Sequence, residues 1–311
     1  MEMLSLIIPC YNEEQVLPIL YEELKKVASE MKDNSFEFIF VNDGSRDNTL
    51  SVIKGFEDDS RVKYISFSRN FGKEAAILAG LDAAEGDYVA VMDADMQDPP
   101  SMLPEMIAAI KEQGADSAAT RRISRTGEPP IRSFFANLFY KILNKTSGLN
   151  VMGGSRDFRL MKKEMVDAVR ELPETDRFSK GLYEWVGFKT VWLEYKNVER
   201  AAGVTKWSFI KLFKYAVNGI VSFTTAPLKL ATLLGILSVA AAAVWTVVDI
   251  VRATLYGSWI VGLDPVIIAV LAVGGIIMLL LGIIGQYLSH IFNEVKGRPE
   301  YIVKESNVYK K

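Results

Sequence analysis

The sequence predicts an α/β domain built on a mostly parallel sheet with flanking helices, followed by a two-helix membrane hairpin. Three observations carry that reading. Short apolar, β-rich runs alternate with helix-like segments from the first residues onward, a polar motif follows each of the first four runs, and two long uncharged stretches lie toward the C-terminus.

The β-branched and aromatic runs Leu4–Ile8, Phe36–Val41, Val62–Phe67, Tyr88–Met92 and Ala115–Ala119 have the length and composition of strands. Between them Glu14–Met31, Asp47–Phe56, Lys73–Ala84 and Met102–Gln113 read as helices. Strand and helix in strict alternation make βαβ units, whose strands run parallel. "CYNEE", "NDGSRDNT", "SRNFGKE" and "DADMQDPP" then fall at the carboxyl ends of successive strands. Ligands bind at that edge of an open α/β sheet. One such motif could be an ordinary turn of Asn, Asp and Gly; four in succession are harder to explain that way.

The densest motif is "DADMQDPP". On an extended segment Asp93 and Asp95 point the same way, and Gln97 continues that side. Their oxygens suit a hard cation, Mg²⁺ or Mn²⁺, that could bridge to the phosphates of a nucleotide. The alternative is a solvated acidic turn closed by Pro99 and Pro100. Asp43, with Glu13 or Glu14, could accept hydrogen bonds from a ribose or a base; the alternatives are an Asx turn with Gly44 and a place in a helix's first turn, and Asp47 reads as a cap. No G-x-G-x-x-G and no P-loop motif is present, which argues against a Rossmann dinucleotide site and a P-loop.

Half of the 311 residues are hydrophobic, but unevenly so: residues 230–289 hold only three acidic or basic side chains, Asp249, Arg252 and Asp264. Leu230–Val248 and Pro265–Ser289 carry no charge, and each is long enough to cross a hydrocarbon core. The chain therefore divides into a domain over residues 1–205, amphipathic juxtamembrane helices over 206–228, two spans over 229–290 and a tail over 291–311. Lys206, Lys211, Lys214 and Lys229 precede the spans and Lys296, Arg298 and Lys304 follow them, while the connecting loop offers only Arg252. That asymmetry puts both termini and the first domain in the cytoplasm. "MEMLSLIIPC" is too short an apolar run for a signal peptide, and the single cysteine, Cys10, fits a reducing compartment. The lysines of "KWSFIKLFKYAV" could also meet anionic headgroups.

Taken together, "SLIIPCYNEE", "FVNDGSRDNT", "SRNFGKEAA", "VMDADMQDPP", "GSRDFRLM" and "ERAAGVTKWSF" resemble the signature segments of the family 2 glycosyltransferases. Within that family the chain is similar to the polyprenyl-phosphate glycosyltransferases, a group that includes dolichol-phosphate mannose synthases and bactoprenol glucosyltransferases. The resemblance covers the whole chain and implies a GT-A fold, a nucleotide-sugar donor, a polyprenyl phosphate acceptor and inversion at the anomeric carbon. Residue by residue it implies that Pro9, Tyr11, Asn12, Glu14 and Asp43 hold the nucleotide, and that Asp93, Asp95 and Gln97 hold the metal and diphosphate. It puts Asp157 beside the sugar and gives Arg122, Arg200 and Lys206 to phosphates, with Asp157, Asp95, Lys206 and Arg200 the residues of the reacting centre. Ala201 stands where many relatives have an aromatic residue, so one contact near the acceptor is missing.

A lipid phosphate already carries most of its second negative charge near neutral pH, its second pKa being about 6. The site therefore needs cations to place the phosphate and a metal for the leaving diphosphate, rather than a strong base. The expected reaction moves a hexose from UDP-glucose to undecaprenyl phosphate, with UDP-N-acetylglucosamine, UDP-galactose and GDP-mannose as alternative donors. The expected partners are the donor, the lipid phosphate, membrane lipids, further copies of the chain and a separate flippase, with no nucleic acid. A processive polysaccharide synthase is disfavoured because two spans form no obvious channel and "QxxRW" is absent. A non-catalytic nucleotide-sugar scaffold is disfavoured by the intact acidic cluster.

Overall fold

The computed structural model describes residues 1–122, 130–195, 216–217, 219–256 and 263–308. It divides into two compact units, Met1–Ala216 with Arg298–Lys311, and Val217–Gly297.

The first unit is built on a sheet of eight strands among the described residues, ordered β7-β5-β6-β4-β1-β2-β3-β8. These are β1 (Glu2–Cys10), β2 (Asn34–Asn42), β3 (Val62–Phe67), β4 (Tyr88–Val91), β5 (Ser117–Arg122), β6 (Ser155–Lys162), β7 (Thr190–Tyr195) and β8 (Val303–Ser306). The strands expected from the sequence are β1 to β5. Their centre is apolar on both faces, since Leu6, Ile7, Ile8, Phe38, Ile39 and Phe40 are all fully buried. Near-continuous apolar runs of this kind belong to parallel strands covered on both sides.

The cover is two helical layers. On one face α1 (Leu17–Glu30), α2 (Thr49–Lys54) and α4 (Leu103–Gln113) pack against Leu4, Leu6, Phe38 and Phe40. The buried positions of α1, Leu17, Leu20, Tyr21, Leu24, Val27 and Ala28, recur at helical spacing, and Pro18 sits in its first turn, where a missing N–H costs nothing. On the other face α3 (Lys73–Ala83), α6 (Lys163–Arg170) and α7 (Ser179–Trp185) pack against Ile7, Ile39, Ile65 and Val91. Here α3 lies so close to β1 that a Cβ on Gly80 would stand 2.2 Å from Ile7 Cγ2. A further α-helix of this unit among the described residues is α5 (Pro130–Ser147).

Three strands escape the βαβ pattern. β6 inserts between β4 and β5 and runs antiparallel to both, β7 runs parallel to β5, and β8 joins the far edge antiparallel to β3. The β6 reversal matters most. An antiparallel strand begins at the edge where its parallel neighbours end, so Ser155, Arg156 and Asp157 open at the carboxyl ends of β4 and β1. β8 comes from beyond the apolar helices, and its approach is well anchored: Tyr301 stacks on Phe67 at 5.0 Å between ring centroids and donates to Asp82 at 2.9 Å, and Lys54 pairs with Glu305 at 2.6 Å.

Among its described residues the second unit holds two long helices, α8 (Ala226–Tyr256) and α9 (Leu263–Lys296). Ala226–Arg252 and Ala272–Lys296 are long and apolar enough to cross a membrane, with mean hydropathies of 2.1 and 1.9 over their most apolar windows. Val239, Trp245 and Met278 are more than two-thirds exposed, at 71%, 67% and 73%. Side chains of that kind in contact with water would be costly, which suits a lipid surface. Tyr287 donates to the Thr224 carbonyl at 2.6 Å within this unit.

Candidate active site

The loops that follow β1, β2 and β3 are stitched into one surface. After β1, Asn12 adopts a left-handed conformation with φ 54°, its side-chain Oδ1 accepts from the Arg46 backbone amide at 2.8 Å, and its backbone amide donates to Ser45 Oγ at 3.0 Å. Glu14 accepts from the Asn48 amide at 2.8 Å, and the Glu14 amide donates to Asp47 at 3.3 Å. Pro9 and Tyr11 lie half-buried beside them. Gly44, with φ 60°, passes so close to the next loop that a Cβ there would lie 2.3 Å from the Arg69 carbonyl carbon. No residue but glycine fits that crossing.

Asp43 is buried and accepts from the Phe71 amide at 2.6 Å, the Gly72 amide at 3.0 Å and Asn70 Nδ2 at 2.8 Å. Burial pushes its carboxyl up to about 6, against the opposing pull of the two amides. Asn12, Glu14 and Asp43 all have work within the protein, which is to shape this edge. The three bonds to Asp43 also fix the turn into α3 and so decide where Lys73, the first residue of that helix, begins.

Beyond β4 the chain does not stay extended, contrary to the expectation that set Asp93, Asp95 and Gln97 on one side. Strand pairing ends at Val91, Met96 takes φ 60°, and the Gln97 amide donates to Asp95 Oδ1 at 3.1 Å. The segment is a turn, held by the local aspartate-to-amide bond typical of such residues. Asp98, five residues after Asp93, has no exposed surface: it pairs with Arg156 at 3.0 and 3.2 Å and accepts from Tyr195 at 2.6 Å. Arg156 also donates to the side-chain Oε1 of Gln97 at 3.4 Å.

Asp93 remains accessible and belongs to a second cluster. The register pairs Val91 with Arg159, so two residues further on Asp157 falls opposite Asp93. Lys73 bridges them, its ammonium paired with Asp93 Oδ1 and with Asp157 Oδ2. Lys180, from α7, pairs with the other oxygen of Asp157 at 3.3 Å and donates to the Ser155 carbonyl at 2.8 Å. The side chains of Asp93, Asp157 and Lys73 keep 23%, 27% and 30% of their surface exposed, so the cluster opens outward where Asp98 does not. Burial works against both charges of the bridge. For Asp157 it is outweighed by Lys180 and Lys73, which hold the carboxyl far below the usual range; for Lys73 it is outweighed by Asp157 and Asp93, which hold the ammonium well above its own. Asp157 is therefore an ionised anchor and a poor proton acceptor.

Among the described residues no group of three or more His, Cys, Asp or Glu side chains converges to hold a metal by itself. The hard oxygens of Asp93 and Asp95, with the Gln97 amide, still suit Mg²⁺ or Mn²⁺ in the usual partial form, one or two carboxylates completed by substrate phosphates and water. Arg200 and Lys206 lie outside the described residues, as does the Arg122 side chain at the end of β5. Sequence reasoning gave no role to Arg156, which seals Asp98, or to Lys73 and Lys180, the two cations of the open cluster. Lys73 and Arg156 stand inside the quoted motifs "SRNFGKEAA" and "GSRDFRLM", whereas nothing around Lys180 marks it.

Residues 5–170, which include all of this cluster except Lys180, match the sequence pattern of glycosyl transferase family 2. The chain belongs to that family. It is a glycosyltransferase, 43% identical over 98% of its length to the glycosyltransferase CsbB of Bacillus subtilis (strain 168), covering 92% of that protein. It is 37% identical over 98% of its length to the SfII prophage-derived bactoprenol glucosyl transferase of Shigella flexneri, covering 98% of it, and 37% identical over 97% to the prophage bactoprenol glucosyl transferase homolog of Escherichia coli (strain K12), again covering 98%. Among solved structures, 71% of the chain superposes on 76% of glucosyl-3-phosphoglycerate synthase from Mycobacterium tuberculosis, crystallised with Mn²⁺, UDP and phosphoglyceric acid, with a TM-score of 0.52 and 17% identity. That likeness establishes a GT-A-like fold for the first unit.

Proposed function

We propose that this glycosyltransferase moves a hexose, glucose first among the candidates, from a UDP-sugar to undecaprenyl phosphate at the cytoplasmic face of the membrane, with inversion at the anomeric carbon. The observation that carries this reading is the near full-length match to bactoprenol glucosyl transferases, which spans the sheet and both apolar helices.

The chain's own residues divide the work. Asp93, Asp95 and Gln97 hold the metal at the carboxyl edge, Pro9, Tyr11, Asn12, Glu14 and Asp43 shape the nucleotide side, and Arg122, Arg200 and Lys206 take phosphates. When bound, the metal neutralises charge on the departing nucleoside diphosphate. Asp157, locked in its ionised form between two lysines, orients the sugar and takes no proton. The acceptor phosphate brings its own negative charge, so a base is not needed.

The tail strand supports the topology. Both the residues before Val217 and those after Gly297 belong to one folded unit, tied by β8 to β3. If α8 crosses the membrane, α9 must therefore cross back, and the lysine asymmetry puts the shared side in the cytoplasm. A maleimide probe applied to intact cells should label Ser258→Cys, which falls between the two spans in the sequence, and leave Lys304→Cys unlabelled; the reverse pattern would place the sheet outside.

The direct test is transfer of radiolabelled sugar to undecaprenyl phosphate by the purified chain, with a panel of UDP-glucose, UDP-N-acetylglucosamine, UDP-galactose and GDP-mannose. Lipid-linked product from one donor, abolished by excess chelator and restored by Mg²⁺ or Mn²⁺, is the expected result. Absence of lipid product with every donor would overturn the reading, and full turnover in chelator would remove the metal from it.

A further inference from the structure

In the division of labour above Lys73 serves only as one of the two anchors of Asp157, yet it sits at the centre of the cluster. It reaches Asp93, from the turn after β4, and Asp157, from the start of β6, with one ammonium. Those carboxylates face each other across the β4–β6 register, and unbridged they would repel. The lysine is delivered from a fixed position, because Asp43 holds the amides of Phe71 and Gly72 immediately before it. Its partner atom Asp93 Oδ1 belongs to a carboxylate that the proposed function assigns to the metal.

On that assignment, we propose that Lys73 is a positioning residue acting as a resident counter-charge. It keeps Asp93 and Asp157 in register before the donor arrives, releases Asp93 to the incoming divalent cation, and stays on Asp157. Ammonium and metal thus compete for one carboxylate. Removing the ammonium then has two effects of opposite sign. The site becomes more negative, so a divalent cation binds tighter; Asp157 loses one of its two anchors, so turnover falls. A lysine that only supported the fold would lower both quantities or change neither.

The test is titration of Mn²⁺ alone into the full-length chain in detergent, followed by the electron paramagnetic resonance signal of the free ion. Lys73→Met should bind Mn²⁺ about fivefold or more tighter than wild type while its kcat falls at least about tenfold. Lys73→Arg, which keeps the charge, should stay within about twofold of wild-type affinity, and Asp95→Asn should bind more weakly. If the Met variant does not fold, Lys73→Gln gives the same reading. Mn²⁺ binding that is unchanged or weaker in the uncharged variant, with Asp95→Asn still impaired, would overturn the role of Lys73 alone. Asp95→Asn binding as well as wild type would overturn the metal site, and this proposal with it.

Discussion

Glu37 and Asp157 are both carboxylates held by lysines on the same sheet. Glu37 lies in the amino-terminal half of β2, where it accepts from the Ser5 hydroxyl and from the Glu85 amide at 2.8 Å and pairs with Lys63 at 2.6 Å. Its side chain is 3% exposed, against 27% for Asp157 at the opposite edge of the sheet, near the start of β6. The chemistry is alike and the surroundings are not. Around Glu37 the strands and the turn at Glu85–Gly86 close in, so the network holds protein to protein. Around Asp157, near the start of β6, the neighbouring β4 has ended, and the same kind of network leaves an open face. Charge clusters on this fold thus divide by sheet edge, and substitutions should separate them.

The largest effect is expected at Asp157. Asp157→Asn removes the charge between Lys73 and Lys180 and should lower kcat about a hundredfold or more, while donor affinity measured by calorimetry with metal present changes less than about threefold. Loss of donor binding would move Asp157 to the nucleotide side.

A smaller effect of a different kind is expected at Glu37. Glu37→Gln leaves Lys63 with only the exposed Glu85 at 3.0 Å, and should cost about 2 kcal/mol of stability, a fall of roughly 5 °C in Tm for a unit of this size, with kcat within about twofold of wild type. A fall in kcat without a fall in Tm would break the division by edge.

An effect of similar size, but visible only as a pH dependence, is expected at Asp43, which is buried like Glu37 but lies at the edge occupied by Asp157. Its carboxyl is raised from 3.8 to about 6, so between those values the folded chain keeps a proton that the unfolded chain has lost. The stability it contributes is fully present below pH 3.8 and is lost as pH rises through 6. Tm measured from pH 4 to pH 7 should therefore fall with pH more steeply in wild type than in Asp43→Asn, by the equivalent of about 2 kcal/mol. Parallel curves would mean that the three donors hold Asp43 ionised throughout.

The parallel strands, the helices between them and the edge that carries the motifs are legible in the sequence because each rests on local periodicity. The fate of each carboxylate is not. Asp93 and Asp98 stand in one stretch of six residues, and nothing in the string says that one stays open while the other is sealed by Arg156 and Tyr195, which come from β6 and β7. Those strands break the βαβ rhythm, and reversal of β6 is a choice of sheet topology that no local pattern announces. The motif holding Asp157 was recognisable, but its placement opposite Asp93 depends on that reversal. Lys180 reaches the cluster from a short helix whose sequence, "SKGLYEW", has no polar signature.

The most direct measurement pairs two readouts on two variants: sugar transfer to undecaprenyl phosphate under single-turnover conditions, and Tm, for Asp157→Asn and Glu37→Gln in one detergent. Transfer should separate the two, lost for Asp157→Asn beyond anything its Tm explains and held within about twofold for Glu37→Gln although its Tm is lowered. If transfer and Tm fell together in both, the cluster of Lys73, Asp93, Asp157 and Lys180 would be scaffolding, and the reacting centre would have to lie elsewhere.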